Sequence, residues 1–221
     1  PITGTRRFAT DYEIREGRTT IPLEFAPCGS WFVVFRSPAE QHPPTKQPNH
    51  PRFRQIQTVS GPWTVRFDPA WSSLTEVQWE ELISWTDHPH PDIRYYSGTA
   101  RYETTFLWNP PAGAAEAEVW LDLGDLRELA EVYLNDSSCG IVWTPPFRVR
   151  IDPILRPGTN RLTVEVVNFW PNRVIGDAAL SPEQRRTKTN IRRLTSNTPL
   201  MRSGLFGPVR LMIAEWATAS P

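Results

Sequence analysis

The chain has 221 residues, of which 39% are hydrophobic, and its 10 Trp, 10 Phe and 5 Tyr exclude an intrinsically disordered protein. Its 24 basic and 24 acidic side chains cancel, so no overall field would attract nucleic acid or an anionic membrane surface. No apolar stretch approaches the ~20 residues of a membrane span. We therefore predict one globular core with a small appendage, and neither nucleic acid nor membrane as a partner.

Short segments in which apolar and polar residues alternate follow one another along the chain. They are IPLEF, SWFVVFR, WTVRF, TARYETTF, AEVWLDL, LAEVYLN, FRVRI, RLTVEVVN and PVRLMIAEW. A period of two is typical of strands that bury one face, and SWFVVFR reads as a short buried run. Nearly every segment is bounded by Gly, Pro, Asn or Asp, which favour turns. The pattern predicts an all-β sandwich, in which two sheets cover each other's apolar faces.

The same alternation assigns side chains to the core. Phe147, Val149 and Ile151 should point inward from one strand, and Val209, Leu211 and Ile213 should point inward from the last one. Four aromatic residues also occupy strand positions that we interpret as core, and these are Trp63, Trp79, Trp120 and Tyr133.

A proline-rich stretch, QHPPTKQPNHP, interrupts the strands at residues 41–51. Proline cannot donate a hydrogen bond to a sheet and stiffens an extended chain, so we predict a linker or surface strap at residues 41–52. Residues 1–40 would then be an N-terminal arm or the end of a preceding domain. The sandwich would occupy residues 53–216, followed by a tail at residues 217–221.

Three motifs are more specific than composition. VYLNDSSCGIVW places a polar turn between two apolar runs, which indicates a hairpin, and PPFRVRIDPILRPGTNRLTVEVVN joins two strands through an RPGTN turn. SGLFGPVRL places Gly204 and Gly207 on either side of a phenylalanine. In this order, the motifs resemble the jelly-roll, sugar-binding domain of glycoside hydrolase family 2 enzymes, although LND replaces the usual LNG. FVVFR, GPWTVRF, ISWTDHPHPDIRYYSGTARYETTF and NFWPNRVIGD resemble, more narrowly, the C-terminal β-sandwich region of glycoside hydrolase family 106, the α-L-rhamnosidases.

The resemblance covers nearly the whole chain from about residue 20. It implies a jelly-roll β-sandwich of the galactose-binding-like type with an N-terminal arm, and an accessory role without cofactors. In such enzymes the catalytic carboxylates lie on a (β/α)₈ barrel, for which this chain is too short beside a sandwich. The implied partners are the catalytic barrel of a parent chain and a plant- or polysaccharide-derived glycan. The resemblance also favours a periplasmic or extracellular location.

Catalysis by the chain itself would need two carboxyl groups that face each other. Asp122 and Glu165 lie in predicted strands, where alternation places polar side chains on the solvated face, and Asp125 lies in a turn. By residue type alone, the candidates are Asp122, Asp125, Glu128, Glu131 and Glu165. None stands in a paired context, so we predict that the chain is not an enzyme by itself.

Metal binding and a disulfide have weaker signals. His88 and His90 are close in sequence but lack a third ligand nearby, so we predict no metal site. Cys28 and Cys139 allow one disulfide without requiring it.

A sugar site needs an aromatic platform together with directional hydrogen-bonding groups. The stretch NFWPNRVIGD offers such a set, and other aromatic residues adjoin predicted turns. The predicted carbohydrate site consists of Trp170, Asn172, Arg173, Asp177, Trp143, Trp85, Tyr95 and Tyr96. For each aromatic residue the alternative is packing within the sandwich.

Residues 168–177 have two interpretations. By the resemblance, they belong to a long loop that reaches toward a barrel and lends polar groups to its sugar pocket, with the polar side chains pointing outward. Alternatively, the loop seals the sandwich and Arg173 pairs with Asp177. For the basic stretch SPEQRRTKTNIRR, which lacks interleaved aromatic residues, we predict a solvated loop or a contact with a missing domain.

Three hypotheses of function follow. The first is an accessory sandwich of a rhamnosidase-like glycoside hydrolase, the second a free-standing carbohydrate-binding module, and the third a protein-interaction domain.

Overall fold

The computed structural model describes residues 4–111, 117–190 and 193–216, and the predicted tail at residues 217–221 lies outside them. Most described elements are strands. They are β1 (Glu13–Arg15), β2 (Arg18–Thr20), β3 (Arg52–Val59), β4 (Trp63–Phe67), β5 (Glu76–Trp79), β6 (Thr99–Trp108), β7 (Val119–Asp122), β8 (Asp125–Arg127), β9 (Leu129–Leu134), β10 (Ser137–Val142), β11 (Arg148–Arg150), β12 (Gly158–Val167), β13 (Gly204–Gly207) and β14 (Val209–Glu215).

The helical elements are short. Helix α1 spans Pro91–Arg94 and helix α2 spans Pro171–Ala178, and single 3-10 turns occur at Ala39–Gln41, Trp85–Asp87 and Pro182–Gln184. Within the described ranges, no helix is long and apolar enough to span a membrane.

Two antiparallel sheets form the body of the molecule. The larger sheet has the order β10-β9-β12-β6-β4-β5, and the smaller one has the order β11-β7-β14-β3. One apolar cluster joins them, with Tyr102 and Val164 from the larger sheet and Leu121 and Leu211 from the smaller sheet all buried. The predicted all-β sandwich is therefore confirmed.

Alternation explains most of this core. Along β6 every second side chain is buried, and β9 follows the same pattern. The predicted inward positions on β11 and β14 and at their ends are confirmed, since these side chains are buried: Phe147, Val149, Ile151, Val209, Leu211 and Ile213. Trp63 and Trp79 are buried as predicted.

Two of the aromatic core assignments are wrong. Trp120 and Tyr133 are only half-buried because their strand neighbours Leu121 and Val132 take the inward positions. Trp120 instead packs edge-to-face on Phe53, with ring centroids 5.6 Å apart.

The β9–β10 hairpin forms where VYLNDSSCGIVW predicted it. Asn135 and Asp136 both adopt left-handed backbone conformations, with φ of 50° and 68°, as a two-residue type I′ turn requires. The Asn135 side chain also donates to Oδ1 of Asn160 at 2.8 Å and accepts from the Arg161 backbone N–H at 3.0 Å. This contact ties the hairpin to the RPGTN turn.

The outer face of the larger sheet carries a row of ion pairs. Arg66 on β4 bonds Glu76 at 2.8 Å and also bonds Glu103, while Arg101 on β6 bonds Glu103 and Glu165 at 2.9 Å each. Opposite charges on neighbouring strands stabilise their pairing modestly. Glu165 thus lies on the solvated face, as alternation predicted.

The arm before β3 differs from its prediction. IPLEF and SWFVVFR are not strands, and the segment Trp31–Phe35 is exposed, with Phe32 reaching 80%. A strand needs a backbone partner, and no described strand pairs with this segment. The predicted linker holds the arm instead, because the side chain of Asn49 bonds the backbone of Thr10, Asp11 and Pro22.

Candidate functional site

The stretch between β12 and β13 contains a helix where the sequence predicted an unstructured loop. Helix α2 begins at Pro171 and ends at Ala178. Proline suits the first helical position, because its φ is preset for a helix and its missing N–H would have no partner there. The prediction of a loop over residues 168–177 is corrected accordingly.

Three polar side chains predicted to point outward are buried. Asn172, Arg173 and Asp177 are 1%, 5% and 2% exposed. Arg173 Nη2 donates to Asp177 Oδ1 at 2.9 Å, one helical turn away. The outward orientation is therefore wrong, and the alternative arrangement, in which these two residues pair and the segment seals the sandwich, is the one observed.

Asp177 also holds the segment that follows the helix. Its Oδ2 accepts from the backbone N–H groups of Arg186 and Thr187 at 3.0 and 2.7 Å, and from the Thr187 hydroxyl at 2.6 Å. Arg186 in turn donates to the Trp71 carbonyl oxygen at 2.7 Å. The first part of the basic stretch is thus fastened to the sandwich rather than simply solvated.

Asn172 and Asn168 close the same end of the molecule. The Asn172 amide bonds the backbone N–H and C=O of Met201 at 2.8 and 2.6 Å. Asn168 accepts from Gly98 N–H at 3.0 Å and donates to the Tyr96 carbonyl at 2.9 Å. Both amides also donate to the Ser203 hydroxyl. Because buried polar groups need such partners, these asparagines stabilise the packing of α2 and of the segment before β13 against this end of the sandwich.

Two aromatic residues of the predicted site belong to the core. Trp85 is fully buried and donates from Nε1 to the Tyr102 hydroxyl at 2.6 Å, and burial raises the pKa of Tyr102. Tyr96 is also buried and packs edge-to-face on Phe67, with centroids 4.9 Å apart. Trp85 and Tyr96 are therefore inaccessible to a ligand, and their assignment to the carbohydrate site is wrong, because both side chains lie in the core of the sandwich.

SGLFGPV passes directly over this aromatic core. Gly204 has a φ of +109°, and a Cβ atom there would lie 2.6 Å from Trp85 Nε1 and 2.8 Å from the Tyr102 hydroxyl. Only glycine fits such an approach in this backbone conformation.

The remaining predicted aromatic residues lie apart from one another. Tyr95 is half-buried against Gly176 of α2, where a Cβ atom would meet its ring at 2.7 Å. Trp143 is 59% exposed and follows β10 at one edge of the larger sheet. Trp170 is 53% exposed beside the turn after β4. Since four strand spacings of about 4.8 Å separate β10 from β4, Trp143 and Trp170 do not form one platform.

Trp170 instead pairs with Trp71, which was not among the predicted site residues. Their ring centroids are 5.4 Å apart and their planes meet at 81°. The two rings border an open cleft of about 550 Å³, which Arg66, Asp68 and Arg101 also line. We call it the Trp71–Trp170 cleft. Trp71 adjoins a turn in DPAWSS, so the criterion that selected Trp143 could have selected it too.

Other candidate chemistry has little support from the geometry. Both cysteines are free thiols. Within residues 4–111, 117–190 and 193–216, no group of three or more His, Cys, Asp or Glu side chains could hold a metal ion.

Comparison with known proteins finds similar sequences and β-sandwiches within larger glycoside hydrolases. No family model matches the chain. It is 32% identical over 178 residues, 70% of its length, to a protein of Formosa agariphila provisionally named a β-glucuronidase. The solved structure of a rhamnosidase from Novosphingobium sp. PP1Y covers 91% of the chain, with a TM-score of 0.72 and 28% identity.

The chain spans a small part of these proteins, 15% of the Formosa protein and 19% of the rhamnosidase. A β-glucuronidase from an uncultured Clostridium covers 76% of the chain, which spans 30% of that enzyme, with a TM-score of 0.52 and 19% identity. At that identity the likeness shows the fold alone. The chain is thus similar to a part of larger glycoside hydrolases.

Proposed function

We propose that the chain is a non-catalytic, carbohydrate-associated β-sandwich of a rhamnosidase-like glycoside hydrolase, of the galactose-binding-like jelly-roll type. Its catalytic barrel would belong to a larger parent chain, as the resemblance to family 106 implies. The observation that carries the proposal is the rhamnosidase match, which covers 91% of this chain but only 19% of the enzyme.

The carboxylates of the sandwich support a non-catalytic role. Asp122, predicted to be solvated, is buried at the end of β7, where Arg148 Nε lies 2.6 Å from its Oδ2. Glu165 pairs with Arg101, and Asp125 pairs with Arg127 and Arg202. A glycosidase needs two carboxyl groups that face each other across the scissile bond, whereas each of these carboxylates is bonded to an arginine.

The shifted pKa values point the same way. Burial opposes the charged form of Glu103, but hydrogen bonds from Arg101 and Arg66 outweigh it, so the pKa of Glu103 is lowered. Burial also opposes the charged form of Asp92, but bonds from Ser73 and the charge of Arg186 outweigh it, so the pKa of Asp92 is lowered as well. Such groups suit structural ion pairs better than proton donation.

We expect the purified chain to release no nitrophenol from aryl α-L-rhamnosides or aryl β-D-glucuronides above the rate in buffer. Spectrophotometric initial rates at several protein concentrations measure this. A rate that rises with protein and is abolished by Glu165→Gln or Asp122→Asn would refute the non-catalytic assignment.

A second candidate function is a free-standing carbohydrate-binding module. The Trp71–Trp170 cleft favours it, because an exposed indole, a half-buried indole and polar groups lie together there, and such a set suits the apolar faces and hydroxyls of a sugar. The two candidates differ in whether this chain alone has measurable affinity for a glycan.

A further inference from the structure

We propose that the Trp71–Trp170 cleft binds one neutral pyranose unit of a glycan. This inference rests on the carbohydrate association in the proposed function and adds a location and a ligand class. It assigns Trp71 and Trp170 as the contact surfaces, and Asp68 as a hydrogen-bonding group.

The two indole rings form a corner. Because their planes meet at 81°, a pyranose stacked on the face of one indole would bring its own edge against the second indole. Trp170 is 53% exposed, so its surface is open to a ligand. Neither indole N–H bonds another described residue, which leaves both as donors for sugar hydroxyls.

Asp68 provides an acceptor beside the rings. Its Oδ1 accepts the Ala70 backbone N–H at 2.8 Å, and its carbonyl oxygen accepts from Trp71 N–H at 2.9 Å. The other carboxylate oxygen, Oδ2, makes no hydrogen bond to a described residue. A carboxylate oxygen of this kind can accept from a sugar hydroxyl.

The charges of the cleft favour a neutral ligand. Arg66 and Arg101 line it, but each is already bonded to glutamates. Asp68 is the carboxylate that lines the cleft, and it has no cationic partner among the described residues there. An anionic sugar such as a uronate would therefore meet an anion and two guanidinium groups whose charges are already compensated, so we expect it to bind more weakly than a neutral sugar.

The walls of the cleft are fixed before any ligand arrives. Arg186 holds the Trp71 carbonyl, and Asp177 holds the backbone of Arg186. Trp170 directly precedes α2, which Asn172 and Arg173 anchor in the sandwich. A preformed site loses less conformational entropy on binding. The buried polar residues of the predicted site would thus be positioning residues for Trp170 and Trp71.

Titration of the whole chain with methyl α-L-rhamnopyranoside, methyl β-D-glucopyranoside and sodium D-glucuronate tests the proposal. For a ligand of this size, we expect a Kd on the order of 1 mM for at least one neutral pyranoside, and weaker binding of glucuronate. Trp170→Ala should weaken the neutral pyranoside about tenfold or more. The matched control is Trp143→Ala, which removes a similarly exposed indole at the far edge of the sheet and should leave the Kd unchanged.

Indole N–H resonances of the unmodified chain provide a second measurement, which does not depend on whether a variant folds. The signals of Trp71 and Trp170 should shift with added neutral pyranoside, while that of Trp143 should not. The proposal is overturned if no neutral pyranoside binds or if glucuronate binds more tightly than the neutral pyranosides. It is also overturned if a neutral pyranoside binds without shifting the Trp71 and Trp170 signals and Trp170→Ala binds it with unchanged Kd. Absence of binding would leave the non-catalytic assignment intact, because that assignment is tested by turnover.

Discussion

Replacing Trp63 by alanine is expected to lower the free energy of unfolding by about 3 to 5 kcal/mol, the usual range for a large aromatic side chain removed from a core. Trp63 is 1% exposed on β4 and packs edge-to-face on Tyr102. Phe147→Ala should cost a similar amount, because this side chain is also buried and belongs to the core cluster that joins the sheets. Urea denaturation followed by tryptophan fluorescence measures both changes.

Exposed residues of the same type provide the controls. Trp143→Ala and Phe32→Ala remove side chains that are largely in solvent, so each should change stability by no more than about 0.5 kcal/mol. If the denaturation midpoints of Trp63→Ala and Phe147→Ala matched those of the controls, the assignment of these strand faces would be wrong.

Arg173→Ala and Asp177→Ala are each expected to destabilise the fold by about 3 to 5 kcal/mol, because each leaves the other charge buried without its partner. The side chains of this pair are 6% and 3% exposed. Asp177→Ala also removes the acceptor that holds Arg186 and Thr187. Thermal and urea unfolding of both variants and of the double variant measure the coupling between the two residues. The free-energy changes of the single variants should sum to much more than that of the double variant.

Arg15→Ala is the matched control, since Arg15 forms an ion pair with Glu13 in which both side chains are mostly exposed. Exposed pairs contribute about 0 to 1 kcal/mol. Normal stability of Arg173→Ala and Asp177→Ala, together with lost glycan binding, would instead support a loop that reaches outward.

Alternation predicted the sandwich well because a strand in one of two packed sheets turns every second side chain toward the other sheet and buries it. β6, β9 and β12 follow this rule over most of their length. The rule failed at IPLEF and SWFVVFR, because an apolar pattern reports that a segment is suited to a covered surface. It does not report whether another strand of the same chain is available to pair with it.

The site was harder to predict for a related reason. The sequence left two arrangements of Arg173 and Asp177 open, one pointing outward and one paired with each other. Their separation of four residues, shortly after Pro171, is the spacing of a helical ion pair. That spacing could have decided in favour of the paired arrangement. The Trp71–Trp170 cleft brings together residues distant in sequence, and no local pattern encodes their contact.

The exposed segment of the arm has a consequence for how this chain behaves at high concentration. Trp31–Phe35 combines β-favouring residues without charge or proline, and its backbone has no strand partner among the described residues. Such segments are where intermolecular β-pairing and aggregation begin. Arg36 and Pro38 follow directly and limit the run at one end. We therefore expect self-association at high concentration to begin at this segment, whereas the buried core of the sandwich sets the free energy of unfolding.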